Sequence, residues 1–326
     1  MKKRFQVYCL LFFTGLLCGC SSAQNTETDV QMTEESLSPL SAAPNEADST
    51  DTVSKGSRDN TPVCLVPSAD HAVTYGNDSV IIDASNCDNG YIMAQYLGSV
   101  SKVKLQLTGT DKVTYTYNLT SSPDAFPLTS GNGDYHVAVF ENIQNDQYST
   151  LYETTISVKI TDEFLPYLYP NQYVAFKESD ACIQLAGELS LSANSDLDVV
   201  SSIYNYIISN ITYDHDRASS VQSGYIPDLD HVLNEKKGIC FDYASLMAAM
   251  LRSQQIPTRL EIGYAGEAYH AWITTYITDV GWVNGIIEFD GTSWTLMDPT
   301  FASSSGDKAI KKFIGDGSNY ITKYVY

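Results

Sequence analysis

Apolar and polar residues alternate in short runs between residues 61 and 165. The runs are Ser79–Asp83, Lys102–Leu107, Lys112–Leu119, Asp134–Glu141 and Leu151–Ile160. Each is rich in Val, Ile, Thr or Tyr, and Gly, Asn, Asp and Pro fill the gaps, which is the pattern of half-buried strands. Regular short strands with no helix between them predict an all-β, Ig-like sandwich. Residues 164–186, with Pro166, Pro170 and several tyrosines, read as a connection that packs on a neighbour. From Asp196 the period changes. Leu197, Val200, Ile203, Tyr204, Ile207 and Ile211 recur at helical spacing, with Asn194 or Ser195 placed to cap. Asp228–Glu235 reads as a short helix leading to a turn at Gly238. Phe241, Ala244, Leu246, Met247, Met250 and Leu251 then predict a longer helix through Arg252, closed by Ile256-Pro257. Thr258–Tyr264, Ala268–Ile277, Gly281–Phe289 and Ser293–Met297 read as an antiparallel series, with a turn at Asp290-Gly291. The second half is therefore expected to be α+β.

Those elements give three residues a chemical meaning. Cys240 falls in the first turn of a helix, where unpaired N–H groups and the helix dipole favour a thiolate. His270, in Tyr-His-Ala-Trp, lies on a strand, and Asp298, in Leu-Met-Asp-Pro-Thr, ends another. An imidazolium from His270 would lower the thiol pKa further, and Asp298 would orient the imidazole. Each residue alone has a structural explanation: a buried thiol, a strand histidine, a turn aspartate. Type, order and context together fit thiol acyl transfer.

Several separated blocks, from about residue 197 to 302, carry a family pattern. They are Gly238-Ile239-Cys240-Phe241-Asp242-Tyr243-Ala244, Leu251 to Arg259, Gly263-Tyr264, His270-Ala271-Trp272, Gly281-Trp282 and Trp294 to Thr300. In this order they resemble the core of the transglutaminase-like superfamily, which shares a papain-like arrangement. The resemblance implies Cys240 as nucleophile, His270 as acid/base and Asp298 as orienting carboxylate. It also implies a thioester formed from an amide, resolved by water or by an amine. Gln254-Gln255 departs from the pattern, since many relatives carry glycine before Ile-Pro. Tyr213 matches a recurring aromatic upstream of the nucleophile, as a packing residue, a wall or an oxyanion donor.

The N-terminus changes where this chemistry is expected. Lys2-Lys3-Arg4, an apolar stretch from Phe5 to Leu17 and Leu17-Cys18-Gly19-Cys20 make a signal peptide over residues 1–19. Gly19-Cys20 resembles a bacterial lipobox, which implies cleavage before Cys20 and lipid attachment to its sulfur. The mature chain would be an extracytoplasmic, membrane-anchored lipoprotein. Residues 20–60, rich in Ser, Thr, Glu, Asp, Asn and Ala, read as a disordered acidic linker. The expected order is then a sandwich over 61–165 and a catalytic domain, with its connection, over 166–326. The formal charge of −20 excludes nucleic acid as a natural partner.

Cys64, Cys87 and Cys182 remain, and export permits a Cys64–Cys87 disulfide. Asp214-His215-Asp216 and Asp228-Leu229-Asp230-His231 lack the spacing of a metal site and read as loop residues or caps. No cofactor is expected, with calcium left open. The expected activity is cleavage or transfer of peptide or protein amides at the cell surface or wall, with hydrolysis slightly preferred over cross-linking. A surface binding protein using the sandwich, with an inactive second domain, is the alternative.

Overall fold

A computed structural model describes residues 54–265, 267–284, 287–289, 294–296 and 320–326. The N-terminal unit holds β1 (Thr74–Asn77), β2 (Val80–Asp83), β3 (Tyr91–Tyr96), β4 (Val103–Thr108), β5 (Thr114–Asn118), β6 (Asp124–Pro127), β7 (Gly133–Gln144) and β8 (Gln147–Val158). They make two four-stranded antiparallel sheets, ordered β1-β2-β3-β6 and β5-β4-β7-β8. Alternation decides which face is buried. On β4, Val103, Leu105 and Leu107 enter the core while Lys104, Gln106 and Thr108 do not. They join Val80, Ile82, Ile92, Tyr117, Phe126 and Val137 in one apolar cluster.

Strands β1, β3 and β6 were not expected from the sequence. β3 is buried on both faces, where Tyr91 and Met93 pack with Ala125 on the side away from the main core. It therefore has no alternation to read.

The second unit contains α1 (Ala181–Ser190), α2 (Asp196–Asn210), β9 (Thr212–Tyr213), α3 (His215–Ser220), α4 (Leu229–Glu235), β10 (Lys237–Gly238) and α5 (Cys240–Ser253). It continues with β11 (Thr258–Ala265), β12 (Ala268–Ile277), β13 (Gly281–Asn284), β14 (Ile287–Phe289), β15 (Trp294–Leu296) and β16 (Tyr320–Val325). An antiparallel sheet runs β13-β12-β11-β16. The expected strand from Gly281 to Phe289 is two strands, since β13 pairs with β12 and β14 with β15. α1 lies in the stretch read as connection and buries Cys182, Ile183 and Ala186. α2 starts as expected, with Ser195 and Asp198 forming a reciprocal capping box.

α5 is the central helix, with every residue from Asp242 to Ser253 buried. It ends at Gln254, and Gln255 adopts a left-handed φ of 59°. This is the position at which Gln254-Gln255 departs from the pattern the sequence resembles, and glycine takes this conformation most readily.

The two units pack directly on one another. Tyr115 and Tyr117 of β5 meet Tyr326 at ring-centroid distances of 5.6 and 5.8 Å, and Tyr173 meets it at 4.6 Å. The Arg259 guanidinium lies 3.7 Å from the Trp282 ring centroid and 4.7 Å from that of Tyr167.

Residues 56–60, expected to close the linker, run along the helical unit instead. Gly56 N–H donates to Leu191 O at 2.9 Å, and a Cβ at Gly56 would lie 2.0 Å from Ala193 O. Arg58 pairs with Asp196 at 2.9 Å and buried Asn60 donates to Ala193 O at 3.1 Å. Burial opposes the charge on Asp196, but hydrogen bonds from Thr278 and Arg58 outweigh it and hold the carboxyl below its ordinary pKa. A lowered folded-state pKa adds stability above the unfolded value of about 3.9 and loses it as pH falls through the folded one. Asp196→Asn is therefore expected to cost about 2 kcal/mol at pH 7. In melting curves from pH 7 downward, the gap from wild type should close as pH falls below the ordinary carboxylate range.

Candidate functional site

Cys240 is the first residue of α5. The helix starts there because Ile239 is extended and its N–H donates to the Asp242 carboxylate at 2.8 Å. The preceding turn is held by a parallel pairing of Lys237-Gly238 with Thr212-Tyr213, which brings Tyr213 to the thiol. The N–H groups of Ala271 and Phe241 and the Tyr213 hydroxyl lie near the Cys240 sulfur and favour its charged form.

These donors favour a thiolate, but burial outweighs them and pushes the thiol up to about 11. The Asp242 carboxylate adds to the rise. Against the helix-start part of the expected lowering, the half-buried position removes more hydration than the first-turn donors replace.

Ala271 is the residue after His270 on β12. β13 pairs with β12 from Thr274 to Ile277, and upstream of that pairing the Ala271 N–H goes to the sulfur. His270 is half-buried and pairs across the sheet with Gly263. Its ring lies 6.3 Å from that of Trp272, inclined by 22°, since alternate residues of a strand share a face. The structure thus brings Cys240 to the strand position adjoining His270. Asp298 and Cys20 lie outside the described residues.

Beneath the thiol is a charged network that sequence reasoning missed. The Asp242 side chain is inaccessible to solvent and accepts from Tyr225 Oη at 2.6 Å, with Arg217 Nη1 at 3.7 Å. Arg217 and Lys237 both pair with Asp214, at 3.8 and 3.1 Å. The signal for Asp242 was available, because an acid at the third helical position commonly reaches back to the N-cap. The Tyr225 contact spans 17 residues, and no local pattern announces it. Of the acidic motifs, Asp214 caps α3 and Asp228 caps α4, each accepting a backbone N–H at 3.0 Å. Cys64, Cys87 and Cys182 are free thiols, so the possible Cys64–Cys87 bridge is not formed.

The segment from residue 183 to 285, which includes Cys240 and His270, matches the model of the transglutaminase-like superfamily. Residues 183–285 form a transglutaminase-like domain. The uncharacterized protein YebA of Bacillus subtilis is 25% identical over 172 residues, which is 45% of this chain and 22% of that protein. The chain therefore spans about a fifth of that relative's length. Among solved structures, a candidate cysteine protease from Cytophaga hutchinsonii is 20% identical, covering 65% of this chain and 67% of that one, with a TM-score of 0.33. Red sea bream transglutaminase is 13% identical, covering 59% and 47%, with a TM-score of 0.27.

Proposed function

We propose that the protein is a thiol enzyme acting on peptide or protein amides outside the cytoplasm. The observation that carries this reading is the contact between the Cys240 sulfur and the N–H of Ala271, next to His270. His270 takes the thiol proton and the sulfur attacks the amide carbonyl carbon. Main-chain N–H groups and the Tyr213 hydroxyl stand near the sulfur and stabilise the developing oxyanion. The tetrahedral intermediate collapses to a thioester as the protonated imidazole gives its proton to the leaving amine. Water then releases the acyl group as acid, in preference to transfer onto an amine. Asp298 orients the imidazole.

The same reading places the signal peptide at residues 1–19, the lipid on Cys20 and the substrate at the cell surface or wall. It takes the strand-rich N-terminal unit as an Ig-like module. A second reading, a surface binding protein with an idle thiol, draws on the burial that holds Cys240 protonated.

One experiment separates the two. Glutamine-containing peptides are incubated with the protein, with and without a small primary amine. New carboxyl groups mark hydrolysis and amine incorporation marks transfer. Either activity should fall by about 10³-fold or more in Cys240→Ala. No turnover by the wild type, or equal turnover by the variant, favours the binding protein.

A further inference from the structure

The Asp242 carboxylate has no exposed side-chain surface, yet it lies two positions from the thiol and joins three segments. One oxygen accepts from Ile239 N–H, which sets the backbone immediately before Cys240. The other accepts from Tyr225, and Arg217 approaches the first at 3.7 Å. Tyr225 and Arg217 both belong to the stretch between α2 and α4. Arg217 Nη1 also donates to Tyr225 Oη at 3.4 Å, and the Tyr225 ring lies 6.3 Å from that of Phe241, the residue after the thiol. Gly238 closes the arrangement from behind, because a Cβ there would stand 2.9 Å from the Asp242 Cβ.

We propose that Asp242 is a positioning residue for Cys240: it fixes the first turn of α5 and anchors Tyr225 and Arg217 against it, so that the sulfur stays on the Phe241 and Ala271 N–H groups. The proposal rests on the reading of Cys240 as nucleophile. The carboxylate also acts on the thiol through space. A buried acid capping a first turn is often only structural, but this one places a negative charge where a thiolate must form. The ionisable groups facing the carboxylate are Tyr225, Arg217, Asp214, Tyr243 and Cys240. Those facing the thiol are Tyr213, Asp242 and Tyr269, with His270 at the adjoining strand position.

The test is alkylation of the full chain in detergent by iodoacetamide from pH 5 to 10, with each labelled cysteine located by peptide mass. Asp242→Asn keeps the shape and removes the charge. Its alkylation rate at Cys240 should fall about tenfold at the plateau through lost alignment, while the midpoint moves to lower pH. Tyr225→Phe, outside α5, should lower the plateau several-fold and leave the midpoint in place. Cys64 serves as the internal reference and should keep its rate. A purely structural role predicts a loss of thermal stability with an unmoved midpoint. Folded variants with the wild-type rate and midpoint overturn the proposal, and if Asp242→Asn fails to fold, an unchanged Tyr225→Phe does so. A wild-type Cys240 that reacts no faster than Cys64 overturns the nucleophile reading itself, and the proposal with it.

Discussion

Replacing Arg252 with alanine lowers the free energy of unfolding by about 3–5 kcal/mol. Arg252 lies near the end of α5 and is 1% exposed. Its Nε donates to Thr258 O at 2.9 Å, while Nη1 and Nη2 donate to Tyr169 O and Tyr326 O, each at 2.8 Å. One planar fork thereby ties the start of β11, the stretch after β8 and Tyr326, the residue after β16. Burial pulls its pKa down to about 9, which leaves it charged at neutral pH. Alanine relieves that desolvation but opens a cavity and removes donors from three carbonyl groups, and the second effect is the larger. Lysine recovers little, because a single ammonium on a flexible stem cannot match the fork. For a unit of this size the melting temperature should fall by roughly 8–16 °C, read by calorimetry. A change under about 1 kcal/mol in either variant contradicts this account.

His270→Ala slows alkylation of Cys240 at pH 7 by about 10²–10³-fold. The direction follows from the thiol. Burial raises its pKa to about 11, so unless a base takes the proton little of it is thiolate at pH 7. In the variant the rate should therefore climb roughly tenfold per pH unit from pH 7 to 10. With the imidazole present the proton has an acceptor at the adjoining strand position, and the wild-type rate should level off near neutrality. Superimposable profiles would remove His270 from the chemistry.

How much of this was legible depended on how local each signal is. The period of α2 and α5, the strands β11 and β12 and the position of Cys240 at a helix start can all be read from spacing. So can β4, β5, β7 and β8, because each shows polar and apolar alternation over at least part of its length, and β2, a short Val- and Ile-rich run. β3 escaped because both its faces are buried, and α1 because it lies in a tyrosine- and proline-punctuated stretch. The docking of Gly56–Asn60 on the turn between α1 and α2 escaped for another reason. Its composition is that of a linker, and its order comes from contacts some 130 residues away. At the site, nucleophile and strand histidine followed from motif order. The Tyr225–Asp242–Arg217 contacts are long-range and did not. The balance between first-turn donors and burial at Cys240 is likewise tertiary, and spacing shows only the donors.

The account turns on whether Cys240 is a poised nucleophile, and the most direct measurement is competitive labelling. The wild-type chain is exposed at pH 7 to less iodoacetamide than thiol, and label is quantified at Cys64, Cys87, Cys182 and Cys240. Burial raises the pKa of all four, to about 11 at Cys64 and about 12 at Cys182. Cys240 adjoins the strand position of His270. The account predicts that Cys240 takes most of the label, and that it loses this lead in His270→Ala. Label spread over the four cysteines in proportion to exposure, with the same distribution in the variant, would contradict it.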